Sequence, residues 1–342
     1  MKNKPIMTIS SIVQAIEEWA PPVYQEGYDN AGLITGHPQW EARGAVLCLD
    51  ATEEVIDEAI ARGCNLVIAH HPIVFKALKR FTGKNYVERV IIKALKHDIA
   101  IYAAHTNLDN VFHQGVNAKI SQRIGLVDTR ILAPKRVWKK LRTQIPASHR
   151  SRIEEALSEK QGIQVSWPEA QGTIQPLEVA FHQALERTVS QAIQSALPQP
   201  AFLETHALEN ETTDIGSGMI GFLPEAIREE PFLRMLKEKM KVEVIRHTPL
   251  LGKPIKKVAL CGGSGSFLLG NAMAQGADIF ITGDYKYHEF FDADGQILIA
   301  DIGHFESEQF TIELFYEILS KKFPNFALHC TKVNTNPVRY LI

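Results

Sequence analysis

Asn65-Leu-Val-Ile-Ala-His-His-Pro72 decides how the rest of the chain is read. An apolar strand, Asn65 to Ala69, runs straight into two adjacent histidines and a proline that ends the element. The same grammar flanks it. Ala45 to Leu49 is a short apolar strand, and Thr52 caps a helix that turns Val55, Ile56, Ala59 and Ile60 inward. Downstream, Tyr86 to His97 reads as a helix and Ile99 to Ala103 as a third strand. Upstream, Ser10 caps a helix carrying Ile12, Ala15, Ile16 and Trp19 on one face, which Pro21 and Pro22 stop. Apolar strands alternating with helices predict an α/β fold whose parallel or mixed sheet is covered on both faces.

The alternation returns late in the chain. Lys257 to Cys261, Ala277 to Thr282, Ile297 to Ala300 and Phe326 to Cys330 read as strands. Ser266 to Ala274 and roughly Ser307 to Lys321 read as helices. The two blocks, 1–135 and 210–342, are expected to build one composite three-layer α/β core. The stretch between them, 136–209, differs. Lys140 to Ile145 precedes a helix over Ser148 to Lys160, and Leu177 to Gln183 precedes a helix over Leu185 to Leu197. Two β-α halves predict an inserted small ferredoxin-like α+β domain. Pro134 and the polar run Glu209 to Gly218 mark its edges.

At 342 residues the chain has room for roughly two domains. Its 45% apolar and 22% charged residues exclude a disordered or collagen-like polymer. No uninterrupted apolar run approaches the roughly 18 residues of a membrane-spanning helix, and no signal-peptide stretch follows Met1 to Met7. Lys and Arg number 37 against 39 Asp and Glu, so nucleic-acid binding driven by phosphate neutralisation has no support. Cys48, Cys64, Cys261 and Cys330 lack CxxC spacing, and three lie in or beside apolar runs, the habit of buried free thiols. A reduced, soluble, cytoplasmic protein is expected.

Chemistry gathers where strands end. Ala69 leads into His70-His71, and Ala104 into His105-Thr-Asn-Leu-Asp109. Thr282 leads into Gly283-Asp-Tyr-Lys-Tyr-His288, and Ala300 into Asp301-Ile-Gly-His304-Phe-Glu-Ser-Glu308. Ligand sites in open α/β sheets lie outside the carboxyl ends of strands. His-His, an Asp, and His304 with Glu308 one helical turn on suit a divalent metal, because imidazole nitrogen and carboxylate oxygen are borderline ligands. Taken singly, each is also ordinary loop, cap or helix-surface chemistry. Their convergence on one edge is the signal. Adjacent His70 and His71 point in different directions from an extended backbone and can serve two ions. Five ligands exceed what one open catalytic zinc needs but suit a dinuclear site with a bridging carboxylate.

Gly262, Gly263, Ser264 and Gly265 follow a strand and precede a helix, so their amides can cradle a phosphate. A tight strand-helix turn, without the Walker lysine, is the equal alternative. Tyr28-Asp-Asn-Ala-Gly-Leu33 is too polar for core and is a turn or a cleft wall. The helix near Phe310 to Leu319 is core.

Together these residues resemble the GTP cyclohydrolase 1 type 2 family, the NIF-three-like dinuclear-metal proteins. The resemblance rests on Tyr28–Leu33, Leu49–Thr52, Ala69–Phe75, Ala104–Asp109, Gly262–Gly265, Thr282–His288, Gly303–Glu308 and Thr335–Pro337, in family order across nearly the whole chain. Tyr28 stands where many relatives have tryptophan, which alters the cleft wall and not the ligand set. Residues 136–209 are similar, more loosely, to the PII/CutA-like insert of the longer bacterial members.

The resemblance implies metal ligands at His70, His71, Asp109, His304 and Glu308. Glu308 would bridge two divalent ions (zinc, iron, manganese or similar), one taking His71 and Asp109, the other His70 and His304. It also implies a homohexamer, a trimer of dimers with sites facing an internal cavity. The implied reaction is GTP ring opening, with hydroxide attacking C8 of guanine, formate leaving, and recyclisation to dihydroneopterin triphosphate. His288 or His105 would shuttle protons. The substrate would be GTP or another nucleotide, and the same ligands also suit a metal-dependent phosphatase or other hydrolase, or a non-catalytic metal-binding regulatory scaffold.

Overall fold

Short apolar runs become strands here because both of their faces are covered. A computed structural model describes residues 7–158, 162–170 and 172–341. Residues up to Ala133 and from Gly216 onward form one compact unit, and Pro134–Ile215 forms another.

The larger unit carries two sheets. In the first, the spatial order is Gly32–Thr35, Ala100–Ala103, Leu66–Ala69, Ala45–Cys48, Leu328–Cys330. The last four strands are parallel, and Gly32–Thr35 closes one edge antiparallel. Val46, Cys48, Val67, Ala69 and Ile101 pack with Val55, Ile56 and Ala59 of helix Glu53–Ala61 and Val90, Ile91 and Ala94 of helix Tyr86–Lys96. The alternating residues Leu47, Leu66, Ile68 and Tyr102 are equally buried on the other face, where helix Thr311–Lys322 packs on Ala45–Cys48. Two-sided burial is why these strands read as continuous apolar runs.

The second sheet runs Arg246–His247, Leu298–Asp301, Ile279–Gly283, Pro254–Ser264, Gly216–Arg228, Val127–Pro134. Its central three strands are parallel. Each sheet borrows one strand from the other half of the chain: Leu328–Cys330 joins the first and Val127–Pro134 the second. The composite α/β core follows from this exchange.

In the smaller unit the order along the chain is strand Trp138–Pro146, helix Arg150–Ser158, strands Ile163–Ser166 and Ile174–His182, helix Glu186–Ser195, strand Glu204–Ala207. The fully antiparallel sheet places these strands second, third, first, fourth, the ferredoxin-like arrangement. Leu141, Ile145, Leu177, Val179 and Phe181 on its inner face meet Ile153, Leu157, Val189 and Ile193 of the helices.

Several boundaries shift. The helix read over Ser148 to Lys160 is Arg150–Ser158, and residues 159 and 160 lie outside the described residues, as do residues 1–6. The helix expected from Ser307 begins at His304 and breaks after Glu308, resuming at Thr311. The long strand Gly216–Arg228 was not expected, because its start lies in a polar, glycine-rich run that reads as a linker. No helix among the described residues is long and apolar enough to cross a membrane. Cys48, Cys64 and Cys261 are buried free thiols, and Cys330 is an exposed one.

Candidate metal centre

Parallel strands from both sheets point their carboxyl ends at one place. After Leu66–Ala69 the ladder continues for two rungs, His70 N–H donating to Cys48 O at 3.1 Å and His71 N–H to Leu49 O at 2.9 Å. Both histidines are therefore held as rigidly as strand residues. Asp109 closes the short helix Thr106–Asp109 beyond Ala100–Ala103. From the other sheet, Leu298–Asp301 leads into helix His304–Glu308, whose spacing puts His304 Nε2 3.2 Å from Glu308 Oε2.

Glu308 lies at the middle of the cluster. Its Oε2 is 2.9 Å from His71 Nε2, and His71 Nε2 is 3.3 Å from His304 Nε2. Its Oε1 is 3.6 Å from His70 Nε2, which is 3.5 Å from Asp109 Oδ1. The five expected residues thus meet, in two trios that share Glu308: His70 with Asp109, and His71 with His304. The expected pairing joined His71 with Asp109 and His70 with His304, whereas here His70 Nε2 lies beside Asp109 and His71 Nε2 beside His304. The physical reason is the pleat: successive side chains leave a strand on opposite sides, and the turn after Ala104 brings Asp109 to the His70 side.

Residues behind the histidines fix which nitrogen faces the cluster. His70 Nδ1–H donates to Ala104 O at 2.8 Å, leaving Nε2 as the lone-pair nitrogen. His71 Nδ1 bonds Asp50 Oδ1 at 2.8 Å, and His304 Nδ1 bonds Asp284 Oδ2 at 2.7 Å. Such carboxylate–histidine pairs orient metal ligands and raise their basicity. Asp50 and Asp284 lie in segments singled out in the sequence, yet neither was read as functional. A lone Asp after a strand looks the same as a turn residue, and the only available signal was its strand-end position.

The electrostatics are those of a site that takes cations. Burial alone lowers His71, but hydrogen bonds to Asp50 and Glu308 and their charges outweigh it and hold the imidazole up at about 10. His304 is likewise depressed by burial and then lifted by the charges of Glu308 and Asp284 to about 11. Burial pushes His70 down, with Glu308 opposing. Burial and the Glu308 charge push the Asp109 carboxyl well up. Burial opposes ionisation of Glu308, yet the neighbouring His304 and His70 hold it well below the usual range. Burial lifts the Cys261 thiol, and the nearby Asp109 and Glu308 add to the shift.

Two atoms here lack what proteins normally give buried polar groups. His70 Nε2 and Asp109 Oδ1 are buried without a hydrogen-bond partner. Orphaned acceptors facing a buried carboxylate, in a set of three imidazoles and two carboxylates, fit one or two divalent cations of the zinc, iron or manganese type.

His105 stands at the edge of the cluster, its ring centroid 5.4 Å from those of both His70 and His71. Its Nδ1 bonds Asp29 Oδ1 at 2.8 Å, and Asp29 also accepts from the Thr106 N–H and hydroxyl. Burial opposes ionisation of Asp29, but His105 and Thr106 bring its carboxyl down to about 2. The exposed Phe75 ring meets His105 edge-on at 5.5 Å, and the Asn30 side chain bonds Val74 O. Tyr28–Leu33 is thus a cleft wall. His288, exposed on the short helix Tyr287–Ala293, meets the Tyr287 ring edge-on and belongs to none of the possible ligand groups.

Residues 262–265 do not form the expected phosphate cradle. Gly262 N–H donates to Asn117 Oδ1, Gly263 N–H to Ser307 Oγ and Gly265 N–H to Thr282 Oγ1. Ser264 is still a strand residue, paired with Gly283. The glycines exist for close approach. A Cβ on Gly263, at φ +63°, would lie 2.4 Å from Glu308 Oε1. The segment is the floor beneath Glu308.

The Duf34/NIF3 (NGG1p interacting factor 3) family pattern matches residues 7–337. A Halalkalibacterium halodurans protein named GTP cyclohydrolase 1 type 2 homolog is 31% identical over 97% of this chain and 98% of its own. Among solved structures, a Bacillus cereus protein related to NIF3 superposes with TM-score 0.77 at 30% identity, covering 99% of this chain and 100% of that one. A Staphylococcus aureus protein superposes with TM-score 0.80 at 27% identity over the same shares.

Proposed function

The chain belongs to the DUF34/NIF3 family, and from that premise we propose that it is a hydrolase dependent on two divalent metal ions. His70, Asp109 and Glu308 Oε1 would hold one ion, and His71, His304 and Glu308 Oε2 the other. The observation that carries this reading is the buried, partnerless pair His70 Nε2 and Asp109 Oδ1 facing Glu308. When bound, the ions supply Lewis acidity and a source of hydroxide near neutral pH.

The protein's own residues do the rest. The strand-end ladder holds both adjacent histidines in place, and Ala104 O, Asp50 and Asp284 orient His70, His71 and His304 respectively. Asp29 anchors His105 through Nδ1 and leaves Nε2 as the nitrogen that exchanges a proton with substrate. His288 has no part in this step.

The substrate we propose is GTP, with opening of the guanine imidazole ring and release of formate. The names of the curated relatives support this, and so does the exposed Phe75 ring beside His105, a surface for a planar heterocycle. No phosphate contact is assigned to residues 262–265. Oligomeric state is part of the proposal: a homohexamer, checked by sedimentation, with the 134–215 unit as a PII-like module.

The test is product analysis. Protein loaded with manganese or zinc is incubated with GTP, and formate, phosphate and pterin are measured. Formate with dihydroneopterin triphosphate supports the reading. Free phosphate without formate replaces it with phosphate-ester hydrolysis. Retained metal with no product from GTP or a broad nucleotide panel replaces it with a binding or regulatory role.

A further inference from the structure

Thr335-Asn336-Pro337 is the one segment singled out in the sequence that the metal centre and its proposed chemistry leave unused. It lies in a tail without regular structure that follows the last strand, Leu328–Cys330. The tail is anchored first at Glu58, which accepts from the Thr331 hydroxyl and the Lys332 N–H. Two consecutive residues then reach two different acids. The Thr335 hydroxyl donates to Asp50 Oδ2 at 2.7 Å, while Asp50 Oδ1 holds His71 Nδ1. Asn336 Nδ2 donates to Glu306 Oε1 at 2.9 Å, in a buried contact. The Glu306 carboxylate lies against Gly303, the residue before His304: a Cβ there would meet Glu306 Oε2. On its other side, Gly303 N–H donates to Asp301 Oδ1 at 2.9 Å.

Both supports serve the same half of the centre. His71 and His304 form one trio with Glu308: His71 is backed by Asp50, which Thr335 holds, and Asn336 holds Glu306 against Gly303, the residue before His304, whose own ring is backed by Asp284. His70, by contrast, is backed by a main-chain carbonyl, which the tail does not touch. Successive residues of an extended tail point to opposite sides, so one short segment can brace two ligands.

We propose that Thr335 and Asn336 are positioning residues for the His71–His304 ion alone, Thr335 acting through Asp50 and Asn336 through Glu306 and Gly303. The inference rests on the two-ion reading above. Outer partners of this kind change metal affinity about 10–100-fold when removed. A tail that only stabilised the fold would weaken both ions together.

The experiment titrates Mn²⁺ into the chelator-stripped full-length protein by calorimetry. Thr335→Val keeps the branched shape and removes the hydroxyl, Thr335→Ser restores it, and Asn336→Leu removes the second donor. Two ions are expected in the unaltered protein. Thr335→Val and Asn336→Leu should each weaken one of them about 10–100-fold and leave the other unchanged, with Thr335→Ser close to wild type. In an Asp109→Asn background, which leaves only the His71–His304 ion, Thr335→Val should weaken the remaining ion by the same factor. Two affinities in Thr335→Val both within about threefold of wild type would overturn the proposal. A parallel fall of both affinities with a lower unfolding midpoint of the metal-free protein would overturn it as well, by showing a purely structural role. Fewer than two ions in the unaltered protein would instead overturn the two-ion reading, and this inference with it.

Discussion

Glu308→Gln separates charge from shape at the centre of the cluster. Glu308 is 2% exposed, with Oε2 2.9 Å from His71 Nε2 and Oε1 3.6 Å from His70 Nε2. The Glu308 charge helps hold the His71 and His304 imidazoles up, so the uncharged amide lets both fall. The amide NH₂ can donate to His70 Nε2, an acceptor because its Nδ1–H is committed to Ala104 O. The metal-free fold therefore accepts the substitution. The His70–Asp109 ion does not, because a donor now stands where an anionic oxygen must ligate. Two unit charges about 4 Å apart contribute about 4 kcal/mol at an effective dielectric near 20. The double charge of the ion raises this, and the desolvation of Glu308 lowers it. At about 1.4 kcal/mol per decade, the Kd of that ion should rise about a thousandfold. Calorimetric titration of Mn²⁺, with elemental analysis after dialysis, reads the effect. His304→Ala should remove the other ion and spare the one at Asp109. If Glu308→Gln keeps both ions near wild-type affinity, the bridging assignment is wrong.

Four further outcomes follow from the same geometry. Because His71 and His304 titrate at about 10 and 11 without metal, filling their position at neutral pH releases two protons. Affinity there should then rise with pH, by up to about a hundredfold per unit, and calorimetry in buffers of different ionisation enthalpy counts the protons. Gly263→Ala puts a Cβ 2.4 Å from Glu308 Oε1 at positive φ, so it should lower the thermal midpoint and weaken the His70–Asp109 ion, both read against wild type. Asp29→Asn should lower turnover about a hundredfold while elemental analysis finds the metal content unchanged. The ends of the smaller unit meet where Lys135 N–H donates to Ile215 O at 2.9 Å, so joining Ala133 to Gly216 by a short linker should leave a folded core that still binds metal, checked by circular dichroism and metal analysis.

The α/β core was legible because two-sided burial writes itself into local composition. Val46, Leu47, Val67 and Ile68 are all buried, so strand after strand reads as an apolar run between capped helices. The candidate ligands were legible for a related reason: His70 and His71 follow a strand directly, Asp109 and His304 lie on the short helices just beyond two others, and strand ends are where α/β folds place chemistry. The Gly216–Arg228 strand was not, since nothing local distinguishes its glycine-rich start from a linker. Residues 262–265 read as an anion cradle because glycine reports freedom of the backbone and not what its amides will meet, here Asn117, Ser307 and Thr282.

Residue chemistry and local periodicity were therefore enough to predict an α/β core and to bring forward five candidate residues, whose ligand roles the family resemblance implied. Tertiary structure alone decided how they pair, with His70 beside Asp109 and His71 beside His304. It alone decided which acids stand behind them. His71 meets Glu308 across 237 residues of chain, and Thr335 meets Asp50 across 285. Period and capping act over a few residues and carry no information at that range. The direction in which a strand-end side chain leaves its sheet, and what the far end of the chain brings against it, exist only once both sheets are packed.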